Sequence, residues 1–125
     1  MMNEDSASGS SDQLQILRDK LRRFAKERDW DQFHSPKNLA MALSVEAAEL
    51  MEHFQWLSEA DSQSMPNEKR TKIREEVADV FLYLIRLADK LDIDLAAAAE
   101  GKIEINASKY PIQKARGNNK KYTDL

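Results

Sequence analysis

Glu46 and Glu49 form one pair of carboxylates at i, i+3, and Glu76 and Asp79 form a second. On a helix of about 3.6 residues per turn, each pair projects from one face. Glu46 falls inside the apolar stripe of its segment, between Leu43 and Leu50, and Glu76 falls at the edge of the stripe Ile73, Val77, Val80, Leu84 and Leu87. Four ionised acids converging at about 6 Å would repel by roughly 2.8 kcal/mol per pair at an effective dielectric near 20. Six such pairs sum to roughly 17 kcal/mol, above the about 5–15 kcal/mol that holds a typical domain together. Such acids must protonate, separate or bind a cation. An all-oxygen donor set suits a hard ion that keeps room for water and phosphate oxygens, Mg²⁺ first and Mn²⁺ second. A di-iron centre would require Glu-x-x-His on paired helices. The residue three before His53 is Leu50, and the segment around Glu76 carries no histidine.

Lys102, Asn106 and Lys109 follow i, i+4, i+7 and share one helix face, a candidate grip for phosphate oxygens. Tyr83 lies four residues after Asp79, on the carboxylate side of the same segment. Trp30 and His34 flank a helix break, where chains commonly place binding groups, and Trp56 is a third candidate. Flat rings with a hydrogen-bonding imidazole are what a nucleobase pocket requires.

Helices must position these groups. Leu14, Leu17, Leu21 and Phe24 predict a first helix over about 12–30, after a small, polar tail at 1–11. Ser35-Pro36 is a strong restart signal, and a second helix runs from Pro36 to about Leu57, apolar on most sides. A polar linker at 58–63 precedes Ser64-Met65-Pro66 and a third helix over about 67–91. That helix contains Val80-Phe81-Leu82-Tyr83-Leu84-Ile85, too long an apolar run for one small core, so subunits are expected to associate. A fourth helix over about 95–109 ends before Tyr110-Pro111, and residues 111–125 read as a mainly basic tail.

One all-α domain over 12–110 is the organisation these signals support, within a chain of 125 residues. Glycine and proline are scarce, at three residues each, and cysteine is absent, which excludes disulfides and thiolate metal sites. A net charge of −3 argues against polymeric nucleic acid as a partner. No apolar run approaches the roughly 18 residues of a membrane span, and the start has no secretory layout. A cytoplasmic protein is expected.

Glu46-Ala47-Ala48-Glu49 followed by Glu76-Val77-Ala78-Asp79 resembles the ExxE…ExxD signature of the MazG-like all-α nucleotide pyrophosphohydrolases. The resemblance extends to the stretch from Arg28 to Ala40 (RDWDQFHSPKNLA), to Glu52-His53-Phe54-Gln55-Trp56, and to the stretch from Lys102 to Pro111 (KIEINASKYP). Together these look like the branch that contains dCTP pyrophosphatases, over about residues 14–111. The resemblance implies that Glu46, Glu49, Glu76 and Asp79 hold Mg²⁺, with Glu46 or Glu49 as general base. It implies that Tyr83, Lys102 and Asn106 contact the triphosphate or sugar, and that Trp30, His34 and Trp56 line the base pocket with Asn38 close by. It also implies a four-helix protomer assembled as a dimer or tetramer, cleaving a dNTP to monophosphate and pyrophosphate. A broad-range or dUTP-directed pyrophosphohydrolase, or a non-catalytic metal-binding interaction module, are the alternatives.

Overall fold

In the computed structural model the backbone is described from Met2 and the side chains from Asp12 onward; the segment 1–11, expected as a tail, lies outside the residues whose side chains are described. The α-helices are α1 (Met2–Glu27), α2 (Pro36–Glu52), α3 (Glu59–Gln63), α4 (Asn67–Lys90), α5 (Leu95–Lys109) and α6 (Ile112–Ala115). No strand occurs among the described residues. By backbone contacts the chain divides into two units, Met1–Asp92 and Ile93–Leu125.

In the first unit α4 packs against both α1 and α2. Its core is small: Ala25 from α1, Leu39 from α2, and Ile85 and Ala88 from α4 are buried. Local signals set the ends of these helices. Ser35 caps α2, its hydroxyl accepting from the Asn38 amide at 3.1 Å, with Pro36 at the first helical position. At the end of α1 the Trp30 amide bonds the Ala25 carbonyl at 2.8 Å and the Asp29 amide bonds that of Lys26 at 3.1 Å. This is the Schellman pattern, with Asp29 at φ 54° where glycine is usual. Aspartate tolerates that region better than most residues, and here Gln32 donates to its side chain at 2.9 Å. The motif ends α1 at Glu27 rather than Trp30 and throws Trp30 back over Phe24, ring edge to ring face at 5.7 Å.

α2 stops at Glu52, short of the expected Leu57. Over the last turn the hydrogen bonds tighten to His53 N–H···O=C Leu50 at 3.2 Å and Phe54 N–H···O=C Met51 at 2.9 Å. The 58–63 linker is itself a helical turn, α3, because Ser58 accepts from the Asp61 amide at 3.1 Å and acids fill the first turn. α4 runs close to its expected span, and Asp92 at φ 55° turns the chain out of it. Met41, Val45 and Met51 on α2 and Val77, Phe81 and Leu84 on α4 remain exposed, so the apolar run in α4 is only partly consumed by this unit.

In the second unit Asp94 caps α5 by accepting from the Ala97 amide at 3.1 Å. The basic tail is folded in part, as α6 and a closing 3₁₀ turn at Tyr122–Asp124. The Tyr110 and Tyr122 rings meet edge to face at 6.2 Å, and the Lys109 ammonium lies 4.8 Å from the centre of the Tyr122 ring.

Candidate active site

The i, i+3 spacing of Glu46 and Glu49 on α2 and the packing of α2 against α4 bring three carboxylates together. Oxygens of Glu46, Glu49 and Glu76 all lie within 4.8 Å of one another. Glu46 and Glu76 are half-buried and Glu49 is exposed. One oxygen of Glu46 and one of Glu76, both Oε2, are buried with no hydrogen-bond partner among the described residues. Loss of solvent pushes the Glu46 carboxyl up to about 7, and the neighbouring Glu76 and Glu49 carboxylates add to the rise. Buried carboxylate oxygens without donors are costly, and a cation is the partner that satisfies several at once.

Asp79, one turn beyond Glu76 on α4, is not among those three. It lines a cavity of about 280 Å³ with Leu21, Phe24, Ala25, Trp30, His34, Leu82, Tyr83 and Arg86. The cavity wall is mostly apolar and aromatic, with a few convergent polar groups, the ordinary make-up of a small-molecule site. Trp30, His34 and Tyr83 therefore share a cavity with Asp79.

Asn38 and Trp56 are not part of that lining. Asn38 is exposed, and its side-chain amide donates to the Phe33 carbonyl at 3.0 Å, bracing its own loop. Trp56 is 88% exposed in the turn after α2 and does not line the cavity. Lys102 and Asn106 are exposed on α5 in the second unit, and Lys109 is engaged with Tyr122 as described.

Sequence reading missed Arg86, Phe24 and Leu21. The last two belong to the apolar seam that predicts α1. Arg86 carried a signal: it is a charge directly after the apolar run that ends at Ile85 and is followed by Leu87. Its side chain is only 7% exposed, and its guanidinium donates to Asp31, to Asp89 at 3.5 Å and to His34 Nδ1 at 3.2 Å. Arg22 of α1 also bonds Asp89, at 2.7 Å, and Lys90 bonds Asp31 at 2.7 Å. Hydrogen bonds from Arg22 hold the Asp89 carboxyl below its ordinary value, and those from Lys90 and Arg86 do so for Asp31. Burial and the Arg86 charge lower His34 in turn, so its imidazole is neutral at neutral pH. The network pins the 3₁₀ turn Asp31–Phe33, between Trp30 and His34, onto α4.

Residues 41–125 match the model of the MazG-like family. The chain is 45% identical over 104 residues to dCTP pyrophosphatase 1 of Mus musculus, covering 82% of this chain and 61% of that protein. It is 43% identical over the same length to dCTP pyrophosphatase 1 of Homo sapiens. The chain thus spans about three fifths of the length of these curated relatives. Among solved structures, a pyrophosphatase from Archaeoglobus fulgidus DSM 4304 superposes with a TM-score of 0.75 at 40% identity, covering 79% of this chain and 93% of that one. All-helical architecture, the family match and these relatives agree, and the chain belongs to the MazG-like family.

Proposed function

We propose that the chain is a divalent-metal-dependent nucleoside triphosphate pyrophosphohydrolase that takes a dNTP, dCTP preferred, to the monophosphate and pyrophosphate. The observation that carries this reading is the pair of buried carboxylate oxygens on Glu46 and Glu76 without a partner among the described residues, with Asp79, one turn beyond Glu76, lining an aromatic cavity. The named activity of the Mus musculus and Homo sapiens relatives supports it.

The donor set of Glu46, Glu49 and Glu76, with Asp79 on the cavity side, fits a hard cation, Mg²⁺ or Mn²⁺. When bound, such an ion supplies neutralisation of phosphate charge and polarisation of a water molecule. Glu46 or Glu49 would take the proton of the attacking water as general base. Trp30 and Phe24 offer aromatic surface for a base, and His34 and Tyr83 offer polar contacts in the same cavity. We assign Lys102, Asn106 and Lys109 to the phosphates and Trp56 to the base. The exposed apolar side chains of α2 and α4 support association into a homodimer or homotetramer.

A panel of dNTPs and NTPs with Mg²⁺ or Mn²⁺, read by pyrophosphate release, tests the reading. Turnover strongest with dCTP is expected. Equal turnover of all bases, or preference for dUTP, would replace the substrate assignment. Metal binding with no release from any nucleotide would favour a non-catalytic module. In ¹⁸O-water the label is expected in the monophosphate, and label in pyrophosphate would refute attack at the α-phosphorus.

A further inference from the structure

Arg86 is the one charged residue that is buried among the described residues, at 6% exposure, and the reaction as proposed leaves it without a task. Its salt links to Asp31 and Asp89 satisfy the charge. They do not explain its third bond. Arg86 Nε donates to His34 Nδ1 at 3.2 Å, and both residues line the aromatic cavity.

The chemistry of that bond fixes the state of the ring. A guanidinium N–H is a donor only, so His34 Nδ1 must be the acceptor and carries no proton. An imidazolium, with N–H at both nitrogens, would point a hydrogen at the arginine and place two cations together. The neutral ring has one proton, and with Nδ1 engaged that proton is on Nε2. Any hydrogen bond that His34 makes to an occupant of the cavity is therefore one in which it donates. Arg86 is itself held by Asp31 and Asp89, so the donor facing Nδ1 is fixed, and turning the ring away forfeits that bond.

We propose that Arg86 is a positioning residue for base recognition, holding His34 as the Nε2–H tautomer so that the cavity accepts a base through a hydrogen-bond acceptor on its ring. The inference rests on the reading of this cavity as the base site and deepens it. Cytosine presents an unprotonated ring nitrogen, N3, where uracil and thymine carry an N–H. Their shared O2 carbonyl gives no discrimination. A fixed donor opposite N3 therefore accepts cytosine and leaves two N–H groups facing each other for uracil or thymine, an arrangement that sites reject strongly.

The chain has two histidines, His34 and His53, so ¹⁵N-labelled imidazoles are resolved by comparison with a His53→Gln variant. His34 is expected to show a protonated Nε2 and an unprotonated, hydrogen-bonded Nδ1 in the intact protein. A protonated Nδ1, or an averaged pair of tautomers, would overturn the proposal. The second arm compares dCTP with its 3-deaza analogue, in which a C–H replaces N3. The unsubstituted protein is expected to show a KM roughly 3- to 10-fold higher for the analogue, the loss of one hydrogen bond. Arg86→Met should raise KM for dCTP by a similar factor, leave kcat nearly unchanged, and leave KM for the analogue where it was. Equal losses on both nucleotides would reduce Arg86 to a structural role, and no penalty for the analogue in the unsubstituted protein would refute the N3 contact even if Arg86→Met fails to fold. Absence of turnover with every nucleotide would instead refute the proposed function, and the tautomer measurement would still decide the Arg86–His34 link.

Discussion

Glu46 of α2 and Glu76 of α4 bring carboxylate oxygens within 4.8 Å of each other, and each residue keeps one buried oxygen that no donor among the described residues reaches. Neither group donates when ionised, so their approach is unfavourable unless one holds a proton or a cation lies between them. The raised Glu46 carboxyl is the first of these outcomes, and the proposed metal is the second.

The metal-free protein should therefore lose stability with rising pH. Glu46 titrates at about 7 in the folded chain and near its ordinary 4.5 when unfolded. Its folded-state proton is thus a stabilising contribution below pH 4.5 that fades as pH rises through about 7. Thermal melts without metal between pH 5 and 8 should show a falling Tm. Mg²⁺ should raise Tm most at the alkaline end, by mass action on the folded state. Glu46→Gln should flatten the metal-free profile and weaken the response to Mg²⁺; an unchanged slope would separate this residue from the effect.

The acid side of the profile has a different origin. Asp89 and Asp31 titrate below their ordinary 3.8 because arginine and lysine donate to them. Their contribution is present above pH 3.8 and is lost as pH falls through their folded values. Asp89→Asn should cost about 1–3 kcal/mol in urea denaturation at pH 7, since it withdraws one carboxylate from the buried Arg86. It should also soften the acid limb. A loss within experimental error would mean that Asp31 alone satisfies Arg86.

Removing acids should separate activity from fold. Glu49→Ala and Asp79→Ala should each reduce turnover by about 10²-fold or more while circular dichroism stays helical. Glu49 is exposed, as is Asp79, so truncation opens no core cavity. Near-normal rates in either variant would remove that residue from the site.

The two tryptophans predict opposite balances of binding and stability. Trp30 lines the cavity and packs on Phe24, so Trp30→Ala should raise KM by an amount worth about 1–3 kcal/mol of stacking and also lower Tm. Trp56 is 88% exposed, so Trp56→Ala should change unfolding free energy by less than about 0.5 kcal/mol. If Trp56 meets the base in the assembled protein, KM rises all the same. An unchanged KM for every base would leave it outside the site.

The sequence by itself determined the four long helices and their faces, but not the short helices α3 and α6. Ser35-Pro36 and the proline at 66 fix starts, Tyr110-Pro111 fixes a stop, and the i, i+3 spacing fixes each acid pair, because these are interactions within a few residues of chain. It also exposed the tension of acids inside apolar stripes. Only tertiary structure decided which acids meet. Three glutamates converge across α2 and α4 while Asp79 turns to the cavity, an outcome set by where two helices cross. The same holds for Arg86, whose partners Asp31 and His34 lie more than fifty residues away in sequence. Local spacing carries no information about contacts at that range, and the end of α2 likewise followed from turn hydrogen bonds that the apolar pattern through Leu57 did not reveal.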